Sequence, residues 1–206
     1  MLDVDELLFI NKISGYRTLK GLDPEVYFKL NKSDSKIKKD LIEKGVLTKS
    51  GNVNLRTFVY IELLAKYNNC KSSIIINNKL YQYNDEGYYI GITINKENNI
   101  LFDIFDSNKF FEIIMNKYSF LSKEVYNNAE VAEIENLITN NQKDKKIKKY
   151  FEITEQINEE NKGKFCCFSY KDKGIYTFDY EQNRIISLNY NEMKDKIKNI
   201  LVKNNC

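Results

Sequence analysis

The chain contains no histidine. That absence removes the commonest general base, the commonest zinc ligand and every Ser-His or Cys-His arrangement at once. Carboxylates or lysine can still serve an enzyme, but the repertoire is short, and no glycine-rich phosphate loop is present. Proline occurs once, and no Pro- or Ser-rich stretch reads as a linker. Nothing approaches the roughly 18 consecutive apolar residues that a spanning helix needs. Neither sign of charge is in excess: 32 basic and 29 acidic residues leave +3. That balance argues against a nucleic-acid binder on bulk charge. The opening "MLDVDELLFINK" is acidic before its apolar part, the reverse of a signal peptide, so a cytoplasmic protein is expected.

What is present is an ordinary globular balance, 42% apolar and 30% charged over 206 residues, enough for a sizeable core. The four cysteines, Cys70, Cys166, Cys167 and Cys206, have no metal-ligand spacing. The first three are expected as buried free thiols. No metal, cofactor or small-molecule substrate is expected.

Helical signals fill the first third. Leu7, Leu8, Phe9, Ile10 and Ile13 follow an acidic first turn and precede Gly15. Asp23-Pro24 starts a brief helix through Tyr27, Phe28 and Leu30. Ser33 or Asp34 caps another, with Ile37, Leu41 and Ile42 inward until Gly45. After a polar turn at Thr48 to Asn52, Leu55, Phe58, Val59, Ile61, Leu63 and Leu64 give a longer helix a wide apolar face. With Lys49 and Arg56 as its only cations, the turn within Asp40 to Phe58 lacks the converging Lys and Arg of a DNA reader. The stretch reads as a joint between helices.

The pattern then turns to strands. "SIIIN", "KLYQY", "GYYIGITIN" and "NILFDIFD", separated by Asn-rich turns, predict an antiparallel meander, and Ser107 caps a following helix. From Ser122 to about Asn161 the chain reads as two charged helices. One carries Val125, Val131, Ile134, Leu137 and Ile138; the other carries Ile147, Tyr150, Phe151 and Ile157. The run Lys143 to Lys149 reads as the solvated face of that second helix. "KFCCFSY", "GIYTFDY" and "RIISLNY" return to strand, followed by a last helix through Met193, Ile197, Ile200 and Leu201. Lys79 to Tyr118 aligns without a gap on Phe165 to Asn204 at a constant offset of 86 residues, with apolar positions matching. The expected fold is therefore α+β. It is a pseudo-twofold architecture of two antiparallel strand-meander-plus-helix units forming a central sheet with helical subdomains. One domain over 1–206 is expected, in halves 1–120 and 121–206.

If a partner surface exists, the sheet face opposite the repeated core stripe is the candidate. It holds Tyr89, Gly91, Thr93, Leu101, Asp103 and Phe105 in the first unit, and Ile175, Thr177, Asp179, Ser187 and Asn189 in the second. The competing reading covers Leu101, Phe105 and Ile175 with the protein's own helices. The tyrosines read mostly as half-buried strand residues. Asp103 and Asp106 form no convincing catalytic pair.

"VDELLFINKI", then "DLIEKGVLTKSGNVN", an apolar helix and a strand meander together resemble the EspG family of type VII (ESX) secretion-associated proteins. The resemblance covers about the first 120 residues, and the internal repeat agrees with that family's mixed fold. It implies a cytosolic, non-enzymatic chaperone or adaptor that holds a helical secreted substrate before export. The charge balance and the lack of a long apolar run separately predict no nucleic-acid partner and no membrane span. Two other readings compete. One is an immunity protein that neutralises a secreted toxin; the other is a degenerate enzyme or ligand-binding domain.

Overall fold

The computed structural model describes residues 2–22, 32–122, 147–170, 175–186 and 188–202, with the side chains of Arg56 and Tyr170 left aside. The expected helix at Tyr27 to Leu30, the one through Val125 to Ile138, and Ser187 lie outside the described residues.

The described residues form an α+β fold of five α-helices and eight strands. The helices are α1 (Val4–Ile13), α2 (Asp34–Glu43), α3 (Phe58–Asn69), α4 (Ser107–Lys117) and α5 (Tyr190–Leu201). The first strands are β1 (Ser72–Ile76), β2 (Lys79–Tyr83), β3 (Tyr88–Ile94) and β4 (Ile100–Asp106). The later ones are β5 (Ile147–Ile157), β6 (Glu160–Tyr170), β7 (Ile175–Asp179) and β8 (Arg184–Ile186). Their order in the sheet is β4-β3-β2-β1-β5-β6-β7-β8, with β1 and β5 antiparallel at the centre. Each run of four consecutive strands is followed by a helix. The sequence offset sets β2 and β3 on β6 and β7, but the match loosens after β7. Ile100 opens β4, whereas its counterpart Ile186 closes β8. Ser107 opens α4, whereas α5 has already begun at Tyr190 when its counterpart Met193 is reached.

One expectation is overturned. Ile147 to Ile157 is strand β5, not a helix. A bulge between Lys148 and Tyr150, with Lys149 at φ 50°, inserts one residue into the two-residue alternation. Ile147, Tyr150 and Phe151 thereby acquire a spacing that imitates a helical face. Lys148 and Lys149 accordingly lie on a strand, and the turn into β6 is made by Asn158 and Glu159, both at positive φ. A smaller correction concerns α4, whose cap is Asp106: its carboxylate accepts from the Lys109 N–H at 2.9 Å.

The chain divides into two compact units, one of residues 1–70 and 90–103, the other of residues 71–89 and 104–206. In the first, Asp3 and Glu6 form a reciprocal capping box at the start of α1. Glu6 is fully buried and meets Lys44 at 2.7 Å. Lys32 bridges Asp3 at 2.8 Å and Asp40 at 3.1 Å. Burial opposes ionisation of Asp3, but the Lys32 ammonium and the Glu6 N–H together hold its carboxyl below the usual range. The core here joins Leu7, Ile10, Leu41, Leu64 and Tyr67 to Ile90 and Ile100.

In the second unit, α4 and α5 pack on one face of the sheet. Phe110 and Ile114 of α4, with Met193, Ile197 and Leu201 of α5, close over Tyr81, Tyr89, Phe151, Ile153 and Phe165. The opposite face carries a smaller cluster of Cys166, Phe168, Tyr176, Phe178 and Ile185. Cys70, Cys166 and Cys167 are free and buried.

Candidate partner-binding surface

The stretch after α2 sets the geometry of α3. Gly45, at φ 70°, ends α2, and the Val46 and Leu47 N–H groups both donate to the Leu41 carbonyl at 2.8 and 3.1 Å. Leu47 bridges Val53 across the Thr48 to Asn52 turn. The Val46 carbonyl then accepts twice, from the Asn54 N–H at 3.0 Å and from the Thr57 hydroxyl at 2.9 Å. Leu47 and Thr57 are both buried. A single 3₁₀ turn, Leu55–Thr57, leads into α3.

With its start pinned there, α3 turns Leu64 and Tyr67 inward. Both are buried, and the Tyr67 hydroxyl donates to the Lys20 carbonyl at 2.7 Å. Helical spacing then puts positions 58, 59 and 62 on the far side, with Leu55 in the 3₁₀ turn just before them. Leu55 is 88% exposed, Phe58 59% and Val59 58%. Three adjoining large apolar side chains in water are unlike the scattered exposed residues that any surface carries. The wide apolar face read from the sequence is in fact two faces, one packed and one open. Its width is the available signal, because a packed surface helix needs only about a third of its circumference to be apolar.

The sheet residues expected to meet a partner are placed differently from one another. Tyr89 is fully buried, donates its hydroxyl to the Leu201 carbonyl at 3.0 Å, and sits 4.5 Å from the Phe110 ring. Burial pushes its phenol well above the usual range. Phe105 stacks on Phe110 at 5.7 Å. Thr177 and Asp179 are each 5% exposed. Thr177 lies 3.5 Å from the Cys167 sulfur, and Asp179 meets Lys196 at 2.9 Å. Thr93 and Asp103 are brought together, the threonine hydroxyl donating to Asp103 Oδ2 at 2.6 Å. Asn189 caps α5 through the Glu192 N–H at 3.0 Å. Of the eight residues singled out most strongly, Leu101 and Asn189 are the exposed ones.

A polar cluster lies on the other sheet face of the second unit. Glu152 Oε2 accepts from the hydroxyls of Tyr150 and Tyr180 and meets Lys164 at 3.3 Å. Lys164 also lies 4.3 Å from the centre of the Tyr180 ring. Burial, followed by hydrogen bonding to Glu152, pushes the Tyr150 phenol far up. Burial likewise lifts the Cys166 thiol to about 11 and the Cys167 thiol to about 12. At neutral pH these phenols and thiols therefore stay protonated, the opposite of an activated nucleophile.

Residues 1–190 match a family described as a domain of unknown function, DUF5081. The chain belongs to that family. No curated protein sequence matches it. The matched span takes in the open face of α3 and every strand of the sheet. Among the described residues, no helix is long and apolar enough to cross a membrane, and no group of acidic, cysteine or histidine side chains is placed to hold a metal ion.

Proposed function

We propose that this DUF5081 protein is a cytosolic, non-enzymatic chaperone or adaptor, of the EspG-like kind, which holds a helical substrate of a type VII secretion system before export. The observation that carries the proposal is the open apolar surface at the start of α3, where Leu55 of the 3₁₀ turn and Phe58 and Val59 of α3 stand 88%, 59% and 58% exposed. An exposed apolar patch of this kind is a docking site or an aggregation hazard, and a helical export substrate offers a matching apolar stripe to cover it.

The test is a pull-down of tagged full-length protein from its own cytosol, with co-eluting proteins identified by mass spectrometry. The pair is then re-run by size exclusion with Leu55→Asp and Phe58→Asp variants. A helical secretion substrate held by the wild type and lost in both variants supports the proposal. A toxin catalytic domain as sole partner moves the assignment to immunity. No co-eluting protein while the secretion machinery is expressed overturns the chaperone reading.

A further inference from the structure

We infer that the middle of the sheet in the second unit, on the face away from α4 and α5, binds a neutral, hydroxyl-rich ligand of the oligosaccharide class. The alternation of the strands defines that face. Ile74, Ile76, Tyr81, Tyr83, Phe151 and Ile153 belong to the core that α4 and α5 close. Their strand neighbours Ser73, Ile75, Leu80, Gln82, Thr154 and Gln156 therefore point the other way. Register sets them in two rows across the sheet. Gln82 lies opposite Ser73, Ser73 opposite Gln156, and Gln156 opposite Asn161. In the next row Leu80 lies opposite Ile75, and Ile75 opposite Thr154.

Some polar groups of these rows satisfy one another. The Ser73 hydroxyl donates to Gln156 Oε1 at 3.3 Å, and Gln156 Nε2 donates to Asn161 Oδ1 at 3.0 Å. Two others do not. Gln82 is 2% exposed and Thr154 5%, and among the described residues neither side chain has a hydrogen-bond partner. A buried carboxamide or hydroxyl without a partner has lost its hydration with no return, so both groups call for one from outside the chain. Ile75, Leu80 and Gln156 beside them are only half-buried, so the strip opens to water.

The chemistry of the strip selects the ligand. A carboxamide and a hydroxyl each donate and accept, as sugar hydroxyls do. Ile75 and Leu80, side by side, offer an apolar patch to the C–H face of a sugar ring. The rows carry no charge, and the neighbouring Lys164 and Glu152 neutralise each other at 3.3 Å. An ionic ligand would find no counter-charge there. An extended peptide gains most at a sheet edge, where backbone groups are unpaired, whereas β1 and β5 lie at the sheet centre. The inference does not rest on the partner surface of α3.

The test titrates the full chain by isothermal calorimetry with maltotriose, cellotriose and triacetylchitotriose, and with a neutral peptide of alternating serine and asparagine. At least one trisaccharide is expected to bind in preference to the peptide. Gln82→Met and Thr154→Val, which keep side-chain size and remove the polar group, should each weaken it about tenfold. Their melting temperatures should stay at or above the wild-type value, because each variant removes a buried polar group that the chain itself leaves unpaired. A fall in melting temperature for both variants would show that the two groups are bonded within the protein, and overturns the inference. So does binding that neither variant weakens, preference for the peptide, or folded protein that takes none of the trisaccharides.

Discussion

Two apolar surfaces of this chain have opposite fates. Where α4 and α5 meet the sheet, Tyr89, Phe110 and Phe165 are excluded from water, and even the Tyr89 hydroxyl finds the Leu201 carbonyl. At the start of α3, Leu55 of the 3₁₀ turn and Phe58 and Val59 of the helix are as apolar, yet more than half of each remains in water. Residue type does not separate them. What separates them is whether the chain supplies its own cover. The difference teaches that residues whose loss harms folding and residues whose loss harms binding can be told apart before any partner is known.

That contrast can be broken in several ways. The largest effect is expected for Tyr89→Ala, which empties a ring-sized space in the core and removes a buried hydrogen bond. Denaturant unfolding should show a loss of about 3–5 kcal/mol. A loss under about 1 kcal/mol would mean that this face is not sealed.

Next comes Asp179→Asn, which leaves Lys196 facing a neutral amide and weakens the acceptor for the Glu181 and Gln182 N–H groups. A cost of about 2 kcal/mol at neutral pH is expected. Burial raises the Asp179 pKa, but Lys196 and those backbone donors outweigh it and hold the carboxyl below its ordinary 3.8. A depressed folded-state pKa stabilises the protein above the unfolded value and is lost as pH falls through the folded one. The gap between wild type and variant should therefore be constant near neutrality and close below pH 3.8. A gap that widens on acidification would contradict this assignment.

Removing the capping box by Asp3→Ala should cost about 1 kcal/mol, read by thermal melting. The smallest stability effect belongs to the open surface. Phe58→Ala should shift unfolding by no more than about 0.5 kcal/mol, because the ring has little packing to lose.

Much of the fold is legible in the sequence because its signals are local. Asp3 with Glu6, Gly45 and the Asn77-Asn78 turn mark boundaries by their own chemistry, and the structure places the first meander where the alternation of Ile90, Ile92 and Ile94 puts it. β5 reads as a helix because the bulge at Lys149 hides the two-residue period, and no side chain announces a bulge in advance. The partner surface is harder still. The alternation along β3 and β7 shows which residues share a face, but not that α4 and α5 cover one, since that depends on contacts distant in sequence. The open side of α3 leaves one trace, an apolar arc wider than a packed helix needs.

The most direct test of the central claim is amide hydrogen exchange on the purified complex against the free protein. Residues 55–62 should slow on complex formation, with β7 unchanged because its amides are already held in the sheet. Protection confined to other segments, with 55–62 exchanging as fast as in the free chain, would contradict the assignment of α3 as the surface that holds the partner.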